Sequence, residues 1–419
     1  MRKFLVVLFS FCVCCFLYVN AMAQTKEIRV LVANHPYGDL IKAAIPEFEK
    51  ATGIKVNLES LQESQLSTKL ATEFATKSSS IDAFMLRPLQ EGKMFSKNDW
   101  LEPLTGYNFS DYPKNMMTVA TFGQKPYIVP IVTEWEVLYY RKDVLKKAGL
   151  KVPTTLAELE AAAKKVNSDS MAGFASRGKG AAAVTQMSSF VYNYGGLYLD
   201  KGVAVFNSKP ALDAIRFYGR LVGSYGPKGI TSMSWENIIP LFQAGKIAMW
   251  TDASVFYGQL IDPAKSQVAP ENVGIATFPA GPRKNTPYLA VAWGIAVAKQ
   301  SKHKDLARKF LDWATSKELA KRGMLTANIP MARSSAWDEK ALGSKLDPGM
   351  VATRKFAAKN GYPFDRPYMT AVGEARDQIG ELAIESVNTK GESPNLEKMA
   401  QEKVARVNAL LKDAGEYGK

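Results

Sequence analysis

The position of the cysteines limits how this chain can fold more than any other feature of the sequence. All three, Cys12, Cys14 and Cys15, lie in an N-terminal segment, residues 1–23, that has the pattern of a cleaved secretion signal. Once that segment is removed, the exported chain carries no thiol. We therefore expect a fold without disulfides, and we exclude thiol catalysis and cysteine ligation of a metal.

The N-terminal segment combines the three parts of a secretion signal. Arg2 and Lys3 precede an apolar run over residues 4–19, and the small residues Ala21 and Ala23 stand at the cleavage positions. A run this short, followed by a cleavage signal, is not typical of a membrane span. We expect cleavage near Ala23 and a periplasmic protein. Because no small-residue box precedes a cysteine, we expect no lipid anchor.

The length of the chain predicts more than one domain. About 396 of the 419 residues remain after cleavage, which exceeds what one hydrophobic core usually organises, so two domains are expected. The formal net charge of +14 falls to +12 when the two basic residues of the signal are lost. Because the basic residues are scattered among acids, without a run of five like charges, we expect no nucleic-acid partner.

The mature chain opens with a β-α-β pattern. Residues 28–33 form a β-branched run, residues 40–48 carry apolar side chains at helical spacing, and residues 54–58 alternate as a strand does. A second apolar run at residues 81–86 is a candidate for a buried strand. These alternating elements predict an α/β fold with a parallel sheet.

Three later segments have patterns of their own. Residues 129–140 are strand-like, and Thr155 and Glu158 have the spacing of a capping box before an alanine-rich helix. An apolar stripe over residues 396–411 indicates an amphipathic helix. The chain therefore continues to mix strands and helices to its end.

Histidine and cysteine, two residue types that are frequent in catalytic sites, are scarce in this chain. The two histidines, His35 and His303, have no cysteine to join and support neither a zinc site nor a nucleophile triad. Glu134 and Glu136 are two apart in a strand-like stretch, which places both on one face. Catalytic carboxylates, contacts to sugar hydroxyls and a surface pair all have this pattern. We expect no bound metal and no cofactor.

Several segments, taken in order, resemble family-1 extracellular solute-binding proteins of ABC transporters, the maltose-binding-protein-like family. Residues 140–143 read Tyr-Arg-Lys-Asp, and residues 245–252 read Gly-Lys-Ile-Ala-Met-Trp-Thr-Asp. Further similar segments are residues 147–150, 153–155, 195–200, 235–237, 278–282 and 309–318. Residues 34–36, 61–64, 176–179 and 225–227 are similar to the branch that binds sugar alcohols such as mannitol, sorbitol and arabitol.

The resemblance implies the fold of a type II-like, two-lobe periplasmic binding protein. Each lobe is expected to be a mixed, mainly parallel sheet flanked by helices, with the ligand in the cleft between the lobes. The N-terminal lobe would comprise residues 24–132 and 284–335. The C-terminal lobe would comprise residues 133–283 and 336–419.

The function implied is that of a non-enzymatic, monomeric receptor. It would bind a small polyol or sugar in the periplasm and deliver it to the transmembrane subunits of an ABC permease. Two alternatives stay open: a secreted carbohydrate-active enzyme that uses Glu134 and Glu136, and a ligand sensor for a membrane kinase.

The resemblance also implies which side chains contact the ligand. The expected polar contacts are Asp82, Glu134, Arg177 and Asp252. Trp293 is the expected stacking residue because the glycine after it lets a ligand approach. The other aromatic candidates are Trp135 and Trp235, and the candidates at the rim are Asn34, His35, Asn328 and Arg333. For Arg177 and Asp252 the alternative is an ion pair inside one lobe, and for the tryptophans it is core packing.

Overall fold

One long strand joins the two halves of a mixed α/β fold. The computed structural model describes residues 26–338 and 346–419, so the expected secretion signal, residues 1–23, lies outside the described residues. In the part of the chain that is described, no helix has both the length and the apolar character that crossing a bilayer requires.

The strands include those predicted near the start of the chain and at residues 129–140. In chain order they are β1 Glu27–Ala33, β2 Lys55–Leu61, β3 Ala83–Leu86, β4 Thr121–Phe122, β5 Lys125–Pro126, β6 Val129–Arg141, β7 Leu199–Asp200, β8 Val203–Ala204, β9 Met249–Ala253, β10 Val273–Thr277 and β11 Leu289–Val297.

The helices surround these strands. In chain order they are α1 Pro36–Thr52, α2 Glu63–Ala75, α3 Lys93–Lys97, α4 Lys142–Lys147, α5 Leu156–Val166, α6 Gly180–Asn193, α7 Lys209–Tyr225, α8 Trp235–Gln243, α9 Tyr257–Leu260, α10 Lys304–Ala314, α11 Lys317–Ala327, α12 Pro348–Asn360, α13 Val372–Asn388 and α14 Leu396–Asp413. A π-helical turn, Pro88–Gly92, precedes α3. The shorter 3-10 turns are Lys114–Val119, Ile230–Ser232, Ser254–Phe256, Pro270–Asn272 and Ser334–Trp337.

The predicted β-α-β unit and capping box are both present. Strands β1 and β2, which precede and follow α1 in the chain, pair in parallel. Strand β1 also pairs in parallel with β3. Helix α5 begins after Thr155, whose hydroxyl accepts the backbone N–H of Glu158, while the Glu158 side chain returns to the backbone of Thr155. These elements form where predicted because their signals are local in the sequence.

Strand β6 pairs with different strands along its two halves, within one seven-stranded sheet. Its first half pairs antiparallel with β11, which continues the order β11-β3-β1-β2, whereas its second half lies between β9 and β10, antiparallel to both. The segment that contains Met331 runs along the other side of the first half of β6. The predicted lobe boundary at residues 132 and 133 falls inside β6, and the four predicted lobe segments remain a prediction.

Candidate functional site

A narrow cavity of about 20 Å³ lies at the carboxyl ends of the first strands. It is lined by His35, Glu63, Arg87, Glu134, Arg177, Thr185, Trp235, Phe256, Ala292, Trp293, Asp365 and Arg366. Two larger cavities, of about 460 and 580 Å³, lie elsewhere. The smaller cavity is the better candidate because it brings buried charged groups and tryptophans together from distant segments.

Three residues reach the cavity from equivalent places in the first sheet. His35 follows β1, Glu63 follows β2 and Arg87 follows β3. Because these strands are parallel, their carboxyl ends lie at one edge of the sheet, which is where open α/β sheets bind ligands. Neither Glu63 nor Arg87 was among the predicted site residues. Their position directly after a strand is the sequence signal that could have identified them.

Arg87 is held by a network of acceptors. Its Nε lies 3.2 Å from Glu91 Oε1 and its Nη2 lies 2.6 Å from Ser67 Oγ, while its Nη1 pairs with Glu63. Burial acts to lower the pKa of Arg87, but Glu91 and Glu63 reverse the effect and raise it. The guanidinium carbon lies 5.9 Å from the centre of the Trp293 ring, within the distance of a cation–π contact. The guanidinium is therefore charged and fixed beside an aromatic wall of the cavity.

His35 and Glu134 form a second polar group against the same tryptophan. The backbone N–H of Tyr37 donates to His35 Nδ1 at 3.2 Å, so in the neutral ring the proton is on Nε2, which lies 3.3 Å from Glu134 Oε1. The His35 and Trp293 rings are 5.3 Å apart and tilted by 49°. The cavity thus presents a donor–acceptor pair next to an indole face.

The strand that carries Trp293 is irregular at that residue. The register between β11 and β6 shifts on both sides of Trp293, as it does at a β-bulge, which re-aims a side chain. Gly294 follows, and a Cβ there would collide with the side chain of Ile128. The glycine is therefore needed to admit Ile128, and not to admit a ligand as the sequence suggested.

Arg177 and Asp252 form a buried, bidentate ion pair. Arg177 Nε lies 3.0 Å from Asp252 Oδ2, and Arg177 Nη2 lies 2.5 Å from Oδ1. Gln186 Nε2 also donates to Oδ1, at 2.9 Å. Burial raises the pKa of Asp252 although Arg177 opposes the shift. Arg177 lines the cavity, and Asp252 lies behind it and holds the guanidinium in place.

Four arginines converge on Glu63 from different parts of the chain. Burial acts to raise the pKa of Glu63, but the positive charges of Arg87, Arg177, Arg366 and Arg376 lower it to about 2. Arg366 is itself paired with the neighbouring Asp365 through two hydrogen bonds of 2.7 and 2.5 Å. Glu63 is therefore an ionised acceptor at any physiological pH.

Several predicted site residues lie outside the cavity lining. Asp82 accepts the backbone N–H of Arg29 at 2.8 Å and the hydroxyl of Ser301 at 2.6 Å, so it joins strand ends within the first sheet. Trp135 is buried and packs against Trp337, with ring centres 5.9 Å apart. Asp82 and Trp135 therefore support the fold and do not line the cavity.

The rim candidates are also separated. Asn34 accepts the hydroxyl of Ser60, and Asn328 caps α11 and lines the 580 Å³ cavity. Arg333 donates to Asp111 Oδ2 at 3.0 Å and to the carbonyl of Thr315. The predicted residues that line the candidate cavity are His35, Glu134, Arg177, Trp235 and Trp293.

The remaining lining residues gave no signal in the sequence. Thr185 lies within α6, Phe256 stacks on Trp235 with ring centres 5.1 Å apart, and Asp365 and Arg366 stand in a connection between helices. Thr185, Asp365 and Arg366 neither follow a strand nor belong to a motif, and Phe256 lies in the turn after β9. Among the described residues, no three His, Asp or Glu side chains are grouped so that they could hold a metal ion.

Glu136 is sealed away from the cavity that Glu134 lines. Its side chain is fully buried, and neither carboxyl oxygen has a hydrogen-bond partner among the described residues. Burial raises the pKa of Glu136 well above its ordinary value, and the negative charge of Asp252 adds to this shift. Burial therefore favours the protonated form of this carboxyl group.

Glu136→Gln is expected to stabilise the protein at pH 7 to 8. Burial raises the pKa of Glu136 in the folded state above that in the unfolded chain. The wild type therefore loses about 1.4 kcal/mol of stability for each pH unit between the unfolded pKa and the higher folded pKa. Glutamine has no proton to take up. Urea unfolding from pH 5 to pH 8 should show a smaller decline in the free energy of unfolding for the variant than for the wild type. Parallel pH profiles would contradict the raised pKa of Glu136.

The sequence matches a known family over most of its length. Residues 33–321 match the family model described as bacterial extracellular solute-binding protein. The mannitol-binding protein of Pseudomonas aeruginosa is 26% identical over 375 residues, which cover 83% of this chain and 84% of that protein.

Two solved structures share the fold. One is a solute-binding protein of an ABC transporter from Agrobacterium vitis with bound D-mannitol; its TM-score is 0.79, with 24% identity over 93% of this chain and 99% of that one. The other, from Agrobacterium radiobacter in complex with ribitol, has a TM-score of 0.81 and 24% identity over 92% and 98%. These similarities establish the two-lobe α/β architecture.

Proposed function

Because the chain belongs to the family of bacterial extracellular solute-binding proteins, we propose that it is the periplasmic binding component of an ABC importer. It captures a small polyhydroxylated solute, a polyol or a sugar, in the cavity between its lobes and delivers it to the permease subunits. Cleavage near Ala23 releases it into the periplasm as a monomer. The similar proteins that bind mannitol or ribitol support a polyol as the solute.

The balance of charge around the cavity carries this proposal. Three arginines and three carboxylates line it: Arg87, Arg177, Arg366, Glu63, Glu134 and Asp365. A neutral solute rich in hydroxyl groups can donate to the carboxylates and accept from the guanidiniums without leaving a buried charge unpaired. The indole of Trp293 supplies an apolar wall for the C–H faces of the solute.

We propose that the ligand contacts are the cavity residues, both predicted and unpredicted. His35, Glu134, Arg177, Trp235 and Trp293 keep the role expected of them. Asp252 acts behind the site, through the Arg177 guanidinium that it holds. A solute that touches residues on both sides of the cavity stabilises the closed arrangement by its higher affinity for that state.

The position of Glu136 favours binding over hydrolysis. Glycosidases place two carboxyl groups on either side of the bond that is cleaved. Glu134 lines the cavity, but Glu136 is fully buried and outside the lining. We therefore propose that Glu134 and Glu136 do not act as a hydrolytic pair. Incubation with maltose or lactose should return the sugar unchanged, and release of monosaccharide would favour the enzyme.

A thermal-shift screen tests the proposed function directly. The panel is D-mannitol, ribitol, D-glucose and maltose. A solute present at about one hundred times its dissociation constant should raise the free energy of unfolding by about 2.7 kcal/mol. Trp293→Ala should lose this stabilisation. Tyr417→Ala, which truncates an aromatic residue that is 42% exposed, is the control and should keep it. A panel that shifts nothing would defeat the proposal.

A further inference from the structure

Gln90 joins two parts of the protein that are far apart in the chain. It lies in the π-helical turn Pro88–Gly92, directly after β3, and its Oε1 accepts from Arg366 Nη1 at 3.0 Å and from Arg376 Nη1 at 2.7 Å. The amide must present its oxygen because a guanidinium has only donors. On the proposed division into lobes, Gln90 belongs to the N-terminal lobe and both arginines to the C-terminal lobe.

The two arginines depend on Gln90 to different degrees. Arg366 also has a bidentate bond to Asp365. Arg376 is 5% exposed, and its other hydrogen bonds are to the Ala181 carbonyl at 2.6 Å and the Thr185 hydroxyl at 3.3 Å. Its Nε has no partner among the described residues. Burial, with the charges of Arg366 and Arg87, lowers the pKa of Arg376 to about 9, which leaves it a buried cation with few acceptors.

Lys93, one turn further along, reaches the same part of the protein. Its Nζ lies 2.9 Å from Glu416 Oε1 and 3.1 Å from the Tyr368 carbonyl oxygen, and it is 4.1 Å from the centre of the Tyr368 ring. This link is more exposed than the one at Gln90. The turn after β3 therefore holds the C-terminal segments at two points, and Gln90 is the point next to the solute cavity.

We propose that Gln90 is a positioning residue that favours the closed arrangement of the lobes, with or without solute, and fixes Arg366 at the cavity wall. The inference rests on the proposed function and adds a determinant of affinity to it. Without the amide oxygen, two buried guanidinium N–H groups lose an acceptor in the closed state. The closed population then falls, and the apparent dissociation constant rises by the same factor.

The test is Gln90→Leu, measured by small-angle X-ray scattering without solute and by calorimetric titration with the solute that the thermal-shift screen identifies. We expect a larger radius of gyration than that of the wild type and an apparent dissociation constant raised about 10- to 100-fold. Gln90→Glu keeps an acceptor for both arginines and should restore closure and affinity. Gln401→Leu, on the exposed face of α14, is the matched control.

Equal radii of gyration for the wild type and Gln90→Leu would overturn the proposal whatever happens to the affinity. If Gln90→Leu does not fold, Gln90→Asn withdraws the oxygen by one methylene and gives the same comparison. If the wild type binds none of the four solutes, the proposed function fails. The scattering measurement still decides whether Gln90 controls closure.

Discussion

Replacing Asp252 with alanine is expected to lower the free energy of unfolding by about 3–5 kcal/mol and to abolish solute binding. The carboxylate is fully buried and neutralises Arg177, whose side chain is 8% exposed. Without it, the buried Arg177 guanidinium loses the carboxylate to which it is hydrogen-bonded, and Gln186 loses its acceptor. Urea or guanidinium unfolding measures the loss, and titration with the identified solute measures binding.

An exposed aspartate provides the control for Asp252. Asp213 pairs with Lys209, whose side chain is 83% exposed, one turn away on α7. Because surface ion pairs contribute at most about 1 kcal/mol, Asp213→Ala should change stability little. If Asp252→Ala also cost less than 1 kcal/mol, the buried pair would not have the importance that its geometry suggests.

Glu63→Gln is expected to remove about 3 kcal/mol of stability at pH 7. The arginines around the site lower the pKa of Glu63 from 4.5 to about 2 against the effect of burial, and each unit of difference from the unfolded chain is worth about 1.4 kcal/mol. Because the folded pKa is the lower one, the stabilisation is complete above pH 4.5. It is lost as pH falls from there toward 2.

The dependence on pH separates this effect from ordinary damage to packing. The difference in stability between the wild type and Glu63→Gln should be largest at pH 7 and fall to less than half by pH 3, as measured by urea unfolding at both values. Glu397→Gln removes a carboxylate from the exposed pair with Arg216 and serves as the control, with an expected effect below about 1 kcal/mol. If the difference in stability between the wild type and Glu63→Gln does not change with pH, the lowered pKa of Glu63 is contradicted.

The elements with local signals were predictable from the sequence. The β1-α1-β2 unit, β6, the capping box of α5 and the helix α14 all form close to the predicted residues. Each depends on side-chain periodicity or on a hydrogen bond between residues three apart, and both are visible in a short window of sequence.

The site was only partly predictable. The resemblance indicated Glu134, Arg177 and Trp293, which line the cavity, and it also suggested Arg333, which instead pairs with Asp111. A motif shows that a residue type occurs at a given place in the chain. It does not show whether the side chain points to the cavity or to a partner behind it.

Taken by itself, the sequence determined the order of strands and helices, the expected export signal and the family. Only the tertiary structure decided which charges meet. The contacts that build the site join residues 75 positions apart in the Arg177–Asp252 pair and 286 apart between Gln90 and Arg376. The physical reason is that packing of the sheets and helices fixes these distances, whereas periodicity and spacing report only on neighbours along the chain.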